Sequence, residues 1–280
     1  MVDRLVSCMG VLTNLIAGCE EAKLACVSLQ LPLLLQQLWS LGRALPTIRK
    51  ATLPLLCNYV AHCAPAKCSL TAYADSRGRC LVALVVRAVT AAPRSTTSAP
   101  MDIEQWKLHW QVLQALATST ESRTTLLRCG AIAALPPLIR RLLAKGERVD
   151  EVRAAPVIDF IANLTFDAEG CASLLKMDDA FECLLDALTA RHSAPTRHAS
   201  ALALRNVAFT AEGKGAMLAK QRALPAMLAL LDGRDLRPAA YISSALWALL
   251  SRCLFTPLIK PRGKRARPAL LRRPILGVGC

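Results

Sequence analysis

Four asparagines recur along this sequence at nearly equal spacing. Asn14 and Asn58 lie 44 positions apart, and Asn163 and Asn206 lie 43 positions apart. A carboxamide both donates and accepts hydrogen bonds, and Asn side chains commonly bond to nearby backbone groups or cap helix ends. The spacing therefore predicts that these residues cap a helix or bond the backbone of the neighbouring repeat.

Cysteine and histidine residues raise the question of a metal site. Among the 12 cysteines, Cys57, Cys63, Cys68 and Cys80 surround His62. The successive cysteines are separated by 5, 4 and 11 residues. Zinc sites usually combine two tight ligand pairs, which this spacing does not provide. Scattered cysteines are typical of free thiols in a reducing compartment. We expect no metal ion and no cofactor.

Motifs of enzyme active sites are absent from the sequence. It contains no GxxxxGK[ST], GxGxxG, HExxH or GxSxG. His109, His192 and His198 stand alone or in loops, with no nucleophile and acid recognisable beside them. We therefore expect a protein that is not an enzyme.

Positive charge is concentrated at the carboxyl terminus. The chain carries 35 basic and 20 acidic residues, and residues 251–280 hold eight of the basic residues and no acid. Such a tail is typical of a nuclear-import signal, of an RNA-binding arm, or of a solvated, disordered end. No aromatic residue follows Phe255 to stack on bases, which makes nucleic-acid binding a weaker prediction. The basic residues of the tail that could serve as such a signal or arm are Lys260, Arg262, Lys264, Arg265 and Arg267.

The asparagines belong to longer repeated stretches. NLTFDAEG at 163–170 corresponds to NVAFTAEG at 206–213, and NLIAGC at 14–19 corresponds to NYVAHC at 58–63. A weaker copy has Ala115 in place of the asparagine. A period near 43 residues, rich in Leu and Ala, is typical of an all-α superhelical solenoid. The pattern predicts about five repeats, each with short helices followed by a long helix that ends at the asparagine.

Individual helices and segments follow from this pattern. In one repeat we predict helices over 171–176, 180–190 and 197–209. Proline and small polar residues at 91–101 predict a linker between amino-terminal repeats, 1–90, and carboxy-terminal repeats, 102–254. Residues 255–280 form the basic tail. The first residues look like a third helix without its preceding pair, so the chain opens mid-repeat, and we expect a fragment of a longer protein.

The stretch CGAIAALPPLIRRLL at 129–143, followed by helices ending in ANL and RNV, resembles armadillo repeats. More narrowly, NLTFDAEGCASLLKM, SALALRNVAF and SSALWALL are similar to the carboxy-terminal armadillo-like region of the rotatin family. The resemblance implies a right-handed armadillo/HEAT-like superhelix. The rotatin family is associated with centrioles and ciliary basal bodies.

The resemblance also implies a second role for the asparagines. In peptide-binding armadillo proteins, the matching asparagine lines a concave groove and bonds an extended peptide, and a tryptophan one turn earlier packs on that peptide. None of the four asparagines here follows a tryptophan at that distance. Only Trp110 with Gln114, and Trp247 with Ser251, approximate such pairs. The sequence therefore favours a structural role for the asparagines over the binding of a peptide in a concave groove.

Taken with the resemblance, these patterns predict a non-enzymatic scaffold that binds other proteins, in centriole and basal-body assembly and cilium organisation. The alternative is an armadillo-type adaptor for nuclear import or a nucleic-acid-associated factor. We expect a cytoplasmic protein at the centrosome or cilium basal body. The charge-free window from Leu24 to Gly42 contains Pro32 and three glutamines, so it is interpreted as buried helix broken by a turn rather than a membrane span.

Overall fold

The computed structural model describes residues 1–72, 79–90, 102–143, 150–189, 191–231 and 235–255, with only the backbone at 178 and 252–255. Within these ranges the chain forms sixteen α-helices and no β-strand. The linker predicted at 91–101 lies outside the described residues. So do the five basic residues singled out in the tail, Lys260, Arg262, Lys264, Arg265 and Arg267.

Each repeat consists of two shorter helices followed by a third helix, which is the longest of its repeat. The first helices are α2 (Glu20–Ser28), α5 (Ala64–Ala72), α8 (Thr120–Arg128), α11 (Ala168–Leu175) and α14 (Ala211–Ala219). The second helices are α3 (Leu31–Leu41), α6 (Leu81–Thr90), α9 (Leu135–Leu143), α12 (Asp178–Ala187) and α15 (Ala223–Leu231). The third helices are α1 (Val2–Ile16), α4 (Pro46–Val60), α7 (Ile103–Ala117), α10 (Glu151–Leu164), α13 (Ala194–Ala208) and α16 (Leu236–Phe255).

Equivalent helices pack on one another from repeat to repeat. Every third helix contacts the third helix of the next repeat, from α1 to α16, and every first helix contacts the next first helix, from α2 to α14. A repeat cannot bury its apolar face alone, and this stacking supplies the missing partner. Five three-helix repeats thus follow α1, and the predicted all-α solenoid is confirmed.

A single apolar core runs through all the repeats. Third helices have neighbours on several sides, so their small residues are buried nearly all round. Helix α13 shows this clearly, with its buried apolar residues Ala199, Ala201, Ala203, Leu204, Val207 and Ala208. Alanine at these positions lets the third helices approach closely.

The repeated Ala-Glu-Gly sequence marks a tight turn between a third helix and the next first helix. The side chains of Asp167 and Thr210 cap the first helices by accepting from the backbone N–H of Gly170 and Gly213. A Cβ atom at Gly170 would lie 1.7 Å from the carbonyl oxygen of Leu164, and one at Gly213 would lie 2.0 Å from that of Val207. Only glycine fits where the first helix crosses the end of the third.

The charge-free window forms parts of two helices separated by a turn, as predicted. The predicted burial is only partly met, because the window has these exposed leucines: Leu24, Leu29, Leu33, Leu34 and Leu41. Helices α2 and α3 meet at 81°, with Gln30 in a left-handed conformation at φ 59° between them. Among the described residues no single helix is long and apolar enough to cross a membrane. The pair α2 and α3 would pass that test together by length and composition, but it is bent.

Candidate functional site

The ladder of third helices holds the repeated asparagines. Asn58 donates from Nδ2 to the carbonyl oxygen of Thr13, 3.0 Å away, and Asn206 donates to that of Ala162 at 3.2 Å. Each acceptor lies on the preceding third helix, one residue before that helix's own asparagine. Asn163 is half-buried and makes no side-chain hydrogen bond to a described residue, whereas Asn14 is exposed on α1. Sequence reasoning treated all four alike, but their contacts differ.

The two approximate tryptophan pairs also differ from each other. Gln114 donates from Nε2 to the carbonyl oxygen of Pro156 at 3.3 Å and to the carboxylate of Asp159 at 2.9 Å, both on the next third helix. Burial raises the pKa of that Asp159 carboxyl, against the opposing charge of His198. Trp110 is fully buried, with its ring 5.5 Å from that of Phe160. Trp247 is 66% exposed on α16.

A set of buried basic side chains on the first helices was missed by sequence reasoning. The ammonium group of Lys23 donates to the carbonyl oxygen of Ala61 at 2.5 Å, and that of Lys67 to Oγ1 of Thr118 at 2.6 Å. Both acceptors lie just beyond the end of the third helix of the same repeat, where backbone carbonyls lack helical partners. Lys23 and Lys67 are 44 positions apart. The repeat spacing was the signal for this contact.

Two phenylalanines are exposed at the carboxyl ends of third helices. Phe166 is 73% exposed and Phe209 is 49% exposed, and they occupy equivalent repeat positions three residues after an asparagine. The guanidinium carbon of Arg123 lies 5.8 Å from the Phe166 ring centroid, and that of Arg205 lies 5.2 Å from the Phe209 ring centroid. Because neighbouring third helices pack side by side, both rings lie on one edge of the solenoid. We call these two Phe–Arg pairs the aromatic edge.

One polar cluster contains serine, histidine and glutamate together. His192 Nδ1 lies 2.7 Å from the carboxylate of Glu151, and Ser193 and Thr196 donate to the same carboxylate at 2.9 Å and 2.6 Å. Against the effect of burial, these hydrogen bonds lower the pKa of Glu151. The Ser193 hydroxyl therefore donates to the carboxylate instead of to the imidazole. The cluster ties the starts of α10 and α13 together and does not activate a nucleophile.

Two thiols meet between the second and third full repeats. Hydrogen bonding with Cys129, and less so with the backbone N–H groups of Ala83 and Val82 at the start of α6, lowers the pKa of Cys80 despite its partial burial. The same bond and burial raise the pKa of Cys129. In the part of the chain that the structure describes, no three His, Cys, Asp or Glu side chains converge as metal ligands.

Solved structures with this arrangement of helices are armadillo-repeat proteins. A designed armadillo repeat protein has a TM-score of 0.66 and 18% sequence identity, covering 88% of this chain and 94% of its own. The chain has the fold of an armadillo-repeat solenoid. Another designed armadillo repeat protein, solved in complex with the peptide (KR)4, has a TM-score of 0.64 and 20% identity, covering 87% and 92% of the two chains. These likenesses establish the fold of the solenoid.

Among curated proteins, rotatin of Mus musculus is similar to this solenoid. The two are 23% identical over 260 residues, which cover 89% of this chain and 11% of mouse rotatin. The chain thus spans about a ninth of the length of that relative. No family model matches the sequence.

Proposed function

We propose that this armadillo solenoid is a non-enzymatic scaffold that binds other proteins through its aromatic edge. The observation that carries the proposal is the exposure of Phe166 and Phe209 at equivalent positions of adjacent repeats. A large aromatic ring left in water costs free energy that a partner surface recovers by covering it. Arg205 adds a partly exposed charge beside the Phe209 ring, whereas Arg123 lies buried next to the Phe166 ring and supports it from within the solenoid.

The composition of the aromatic edge suits a protein partner. Aromatic residues and arginine are enriched at the centres of protein interfaces, where a few side chains supply most of the binding energy. Arg123 is held by Asp167 at 2.7 Å and by the carbonyl oxygen of Ala117 at 2.8 Å. Arg205 donates to Ser244 at 3.3 Å. Side chains fixed in this way lose little conformational entropy when a partner binds.

The cellular setting that we propose is the centriole and basal body, where a rotatin-like scaffold would contribute to centriole assembly and cilium organisation. The support is the similarity to mouse rotatin over 89% of this chain. We accordingly propose a cytoplasmic protein associated with the cytoskeleton, with centriolar or ciliary proteins as its partners.

An adaptor for nuclear import or a nucleic-acid-associated factor has less support. A peptide-reading groove needs free asparagine amides beside exposed tryptophans. The Nδ2 groups of Asn58 and Asn206 are engaged within the solenoid, and Trp110 is buried. The exposed Trp247 stands four residues before Ser251, whose hydroxyl already donates to the carbonyl oxygen of Ala248.

The proposal is tested by following the fluorescently tagged chain in ciliated cells. We expect the wild-type chain to concentrate at centrioles, and the double variant Phe166→Ser, Phe209→Ser to lose most of that signal. Both rings are already exposed, so the melting temperature of the purified variant should stay close to that of the wild type.

The matched control is the double variant Leu29→Ser, Leu236→Ser. These two leucines are also highly exposed but lie away from the aromatic edge. The control should localise like the wild type. A wild-type chain that never concentrates at centrioles would refute the proposed setting. An edge variant that still concentrates there would refute the aromatic edge as the binding surface.

A further inference from the structure

Four arginines line one small pocket at the turn between α3 and α4. Arg43 and Arg49 come from that turn and the start of α4, while Arg79 and Arg87 come from the approach to α6 and from α6 itself. The pocket has a volume of about 160 Å³, and no acidic side chain of the described residues lines it. We call it the arginine pocket.

The position of Arg49 is unusual for a cation. It is half-buried, its Nε is buried, and that atom has no hydrogen-bond partner among the residues that the structure describes. Its guanidinium carbon lies 5.1 Å from the centroid of the Trp39 ring. A Cβ atom at Gly42 would lie 2.9 Å from Cβ of Arg49, so the turn closes tightly over this side chain. Burying a donor without a partner costs free energy, which a ligand at this place would recover.

The charges around Arg49 also favour a bound ligand, and specifically an anion. Burial, and then the charge of Arg43, lower the pKa of Arg49, and no carboxylate of a described residue acts against them. Arg43 and Arg87 are exposed, and neither forms an ion pair with a described residue. Like charges held together repel, and an anion placed among them turns that repulsion into attraction.

We propose that the arginine pocket binds a phosphate monoester group. Such a group carries nearly two negative charges at neutral pH and three oxygens that accept hydrogen bonds. The planar guanidinium fork pairs with these oxygens two at a time, which an ammonium group cannot do. The pocket is smaller than those that enclose drug-sized ligands, so it admits the phosphate group and leaves the rest of the molecule outside. The group is supplied either by a phosphorylated side chain of a partner protein or by free phosphate.

Calorimetric titration of the full chain distinguishes these sources. The probes are inorganic phosphate, the peptide Gly-Gly-phosphoserine-Gly-Gly, the same peptide without phosphate, and an oligothymidylate. We expect saturable binding of the phosphopeptide and none of the unphosphorylated peptide. Tighter binding of the phosphopeptide than of inorganic phosphate identifies a phosphorylated protein as the ligand. Equal binding of the two identifies the phosphate group alone.

Variants locate the binding in the pocket. The double variant Arg43→Gln, Arg87→Gln changes exposed side chains, and circular dichroism should show it folded. We expect its affinity for the phosphopeptide to fall at least about tenfold, since two charge-assisted contacts are removed. Arg128→Gln, Arg141→Gln makes the same change of net charge at exposed arginines elsewhere, and it should bind like the wild type.

Three results would overturn the proposal. One is the absence of saturable binding of both phosphate and phosphopeptide to the wild-type chain. Another is equal weakening of binding in the pocket variant and the control, which would show a general charge effect. The third is tight binding of the oligothymidylate without binding of the phosphopeptide, which would indicate a nucleic-acid contact instead.

Discussion

Asn206 and Ala162 join two successive third helices, with Nδ2 of the asparagine 3.2 Å from the carbonyl oxygen of the alanine. Asn58 makes the same contact to Thr13 three repeats nearer the amino terminus of the described array, at 3.0 Å. The bond is set by the stacking of repeats, because donor and acceptor are 44 and 45 positions apart. The engaged amide is therefore part of the repeat interface.

Replacement of these asparagines should lower stability selectively. We expect Asn58→Ala and Asn206→Ala each to reduce the free energy of unfolding by about 1 kcal/mol, the usual net worth of a protein hydrogen bond. Asn163→Ala is the matched control, since its side chain makes no hydrogen bond to a described residue, and it should cost distinctly less. Urea denaturation measures all three. Equal losses in the three variants would show that the hydrogen bond does not decide stability.

Gly170 should tolerate no side chain. The Cβ of Gly170→Ala would lie 1.7 Å from the carbonyl oxygen of Leu164, so helix α11 must move away from α10. We expect a loss of about 3 kcal/mol in unfolding free energy, at the upper end of what overpacked sites usually cost. Gly215→Ala is the control within helix α14, where nothing lies within 4 Å of the new atom. That change should be neutral or stabilise by up to about 1 kcal/mol.

The helices themselves could be predicted from the repeat, but their first residues could not. Helix α13 begins at Ala194, three residues before the predicted start at 197, because Ser193 caps it and Pro195 is tolerated in the first turn. Helix α11 begins at Ala168 rather than 171, because Asp167 caps it. Periodicity locates the apolar face of a helix, while capping residues determine where the helix starts.

The candidate site was less predictable than the fold. Asn163 and Asn206 stand in nearly identical sequences, yet only Asn206 reaches the preceding helix. Trp110 stands one turn before Gln114, which resembles the tryptophan–asparagine spacing of peptide-binding armadillo proteins. Its ring nevertheless packs in the core against Phe160. Such differences depend on how side chains meet between repeats, which spacing along one chain does not specify.

Cys80 should be more reactive than an ordinary thiol. Its pKa is lowered, first by the hydrogen bond from Cys129, so more of it is thiolate at pH 7 than for a free cysteine with a pKa of about 8.5. Burial raises the pKa of Cys57 to about 12, which makes that thiol an internal reference. Mass spectrometry after brief treatment with iodoacetamide should find Cys80 modified well before Cys57.

The variant Cys129→Ala tests the cause of this reactivity. Removing the donor should raise the pKa of Cys80 and shift its alkylation profile to higher pH. An unchanged profile would mean that the backbone N–H groups of α6 alone stabilise the thiolate.

His109 should make the solenoid sensitive to acid. Its imidazole ring is fully buried and meets the Trp39 ring edge-on, with the two ring centroids 5.6 Å apart. The Nδ1 atom lies 2.7 Å from the carbonyl oxygen of Gln105. Burial lowers the pKa of His109 to about 4. The hydrogen bond to Gln105 acts to raise that pKa, and the charge of Arg49 lowers it further. Between about pH 6.5 and pH 4 the unfolded chain therefore binds a proton at this position that the folded chain does not.

The free energy of unfolding should consequently fall as the pH is lowered through that window. The full contribution of His109 is about 3 kcal/mol, from a pKa difference between about 6.5 unfolded and about 4 folded. Chemical denaturation at pH 7, 6, 5 and 4.5 measures the dependence. The variant His109→Gln has no group to titrate there, so it should be less stable at pH 7 because of lost packing but should lose less stability on acidification. An equally steep loss in the variant would show that other groups, and not this buried imidazole, govern the acid sensitivity of the fold.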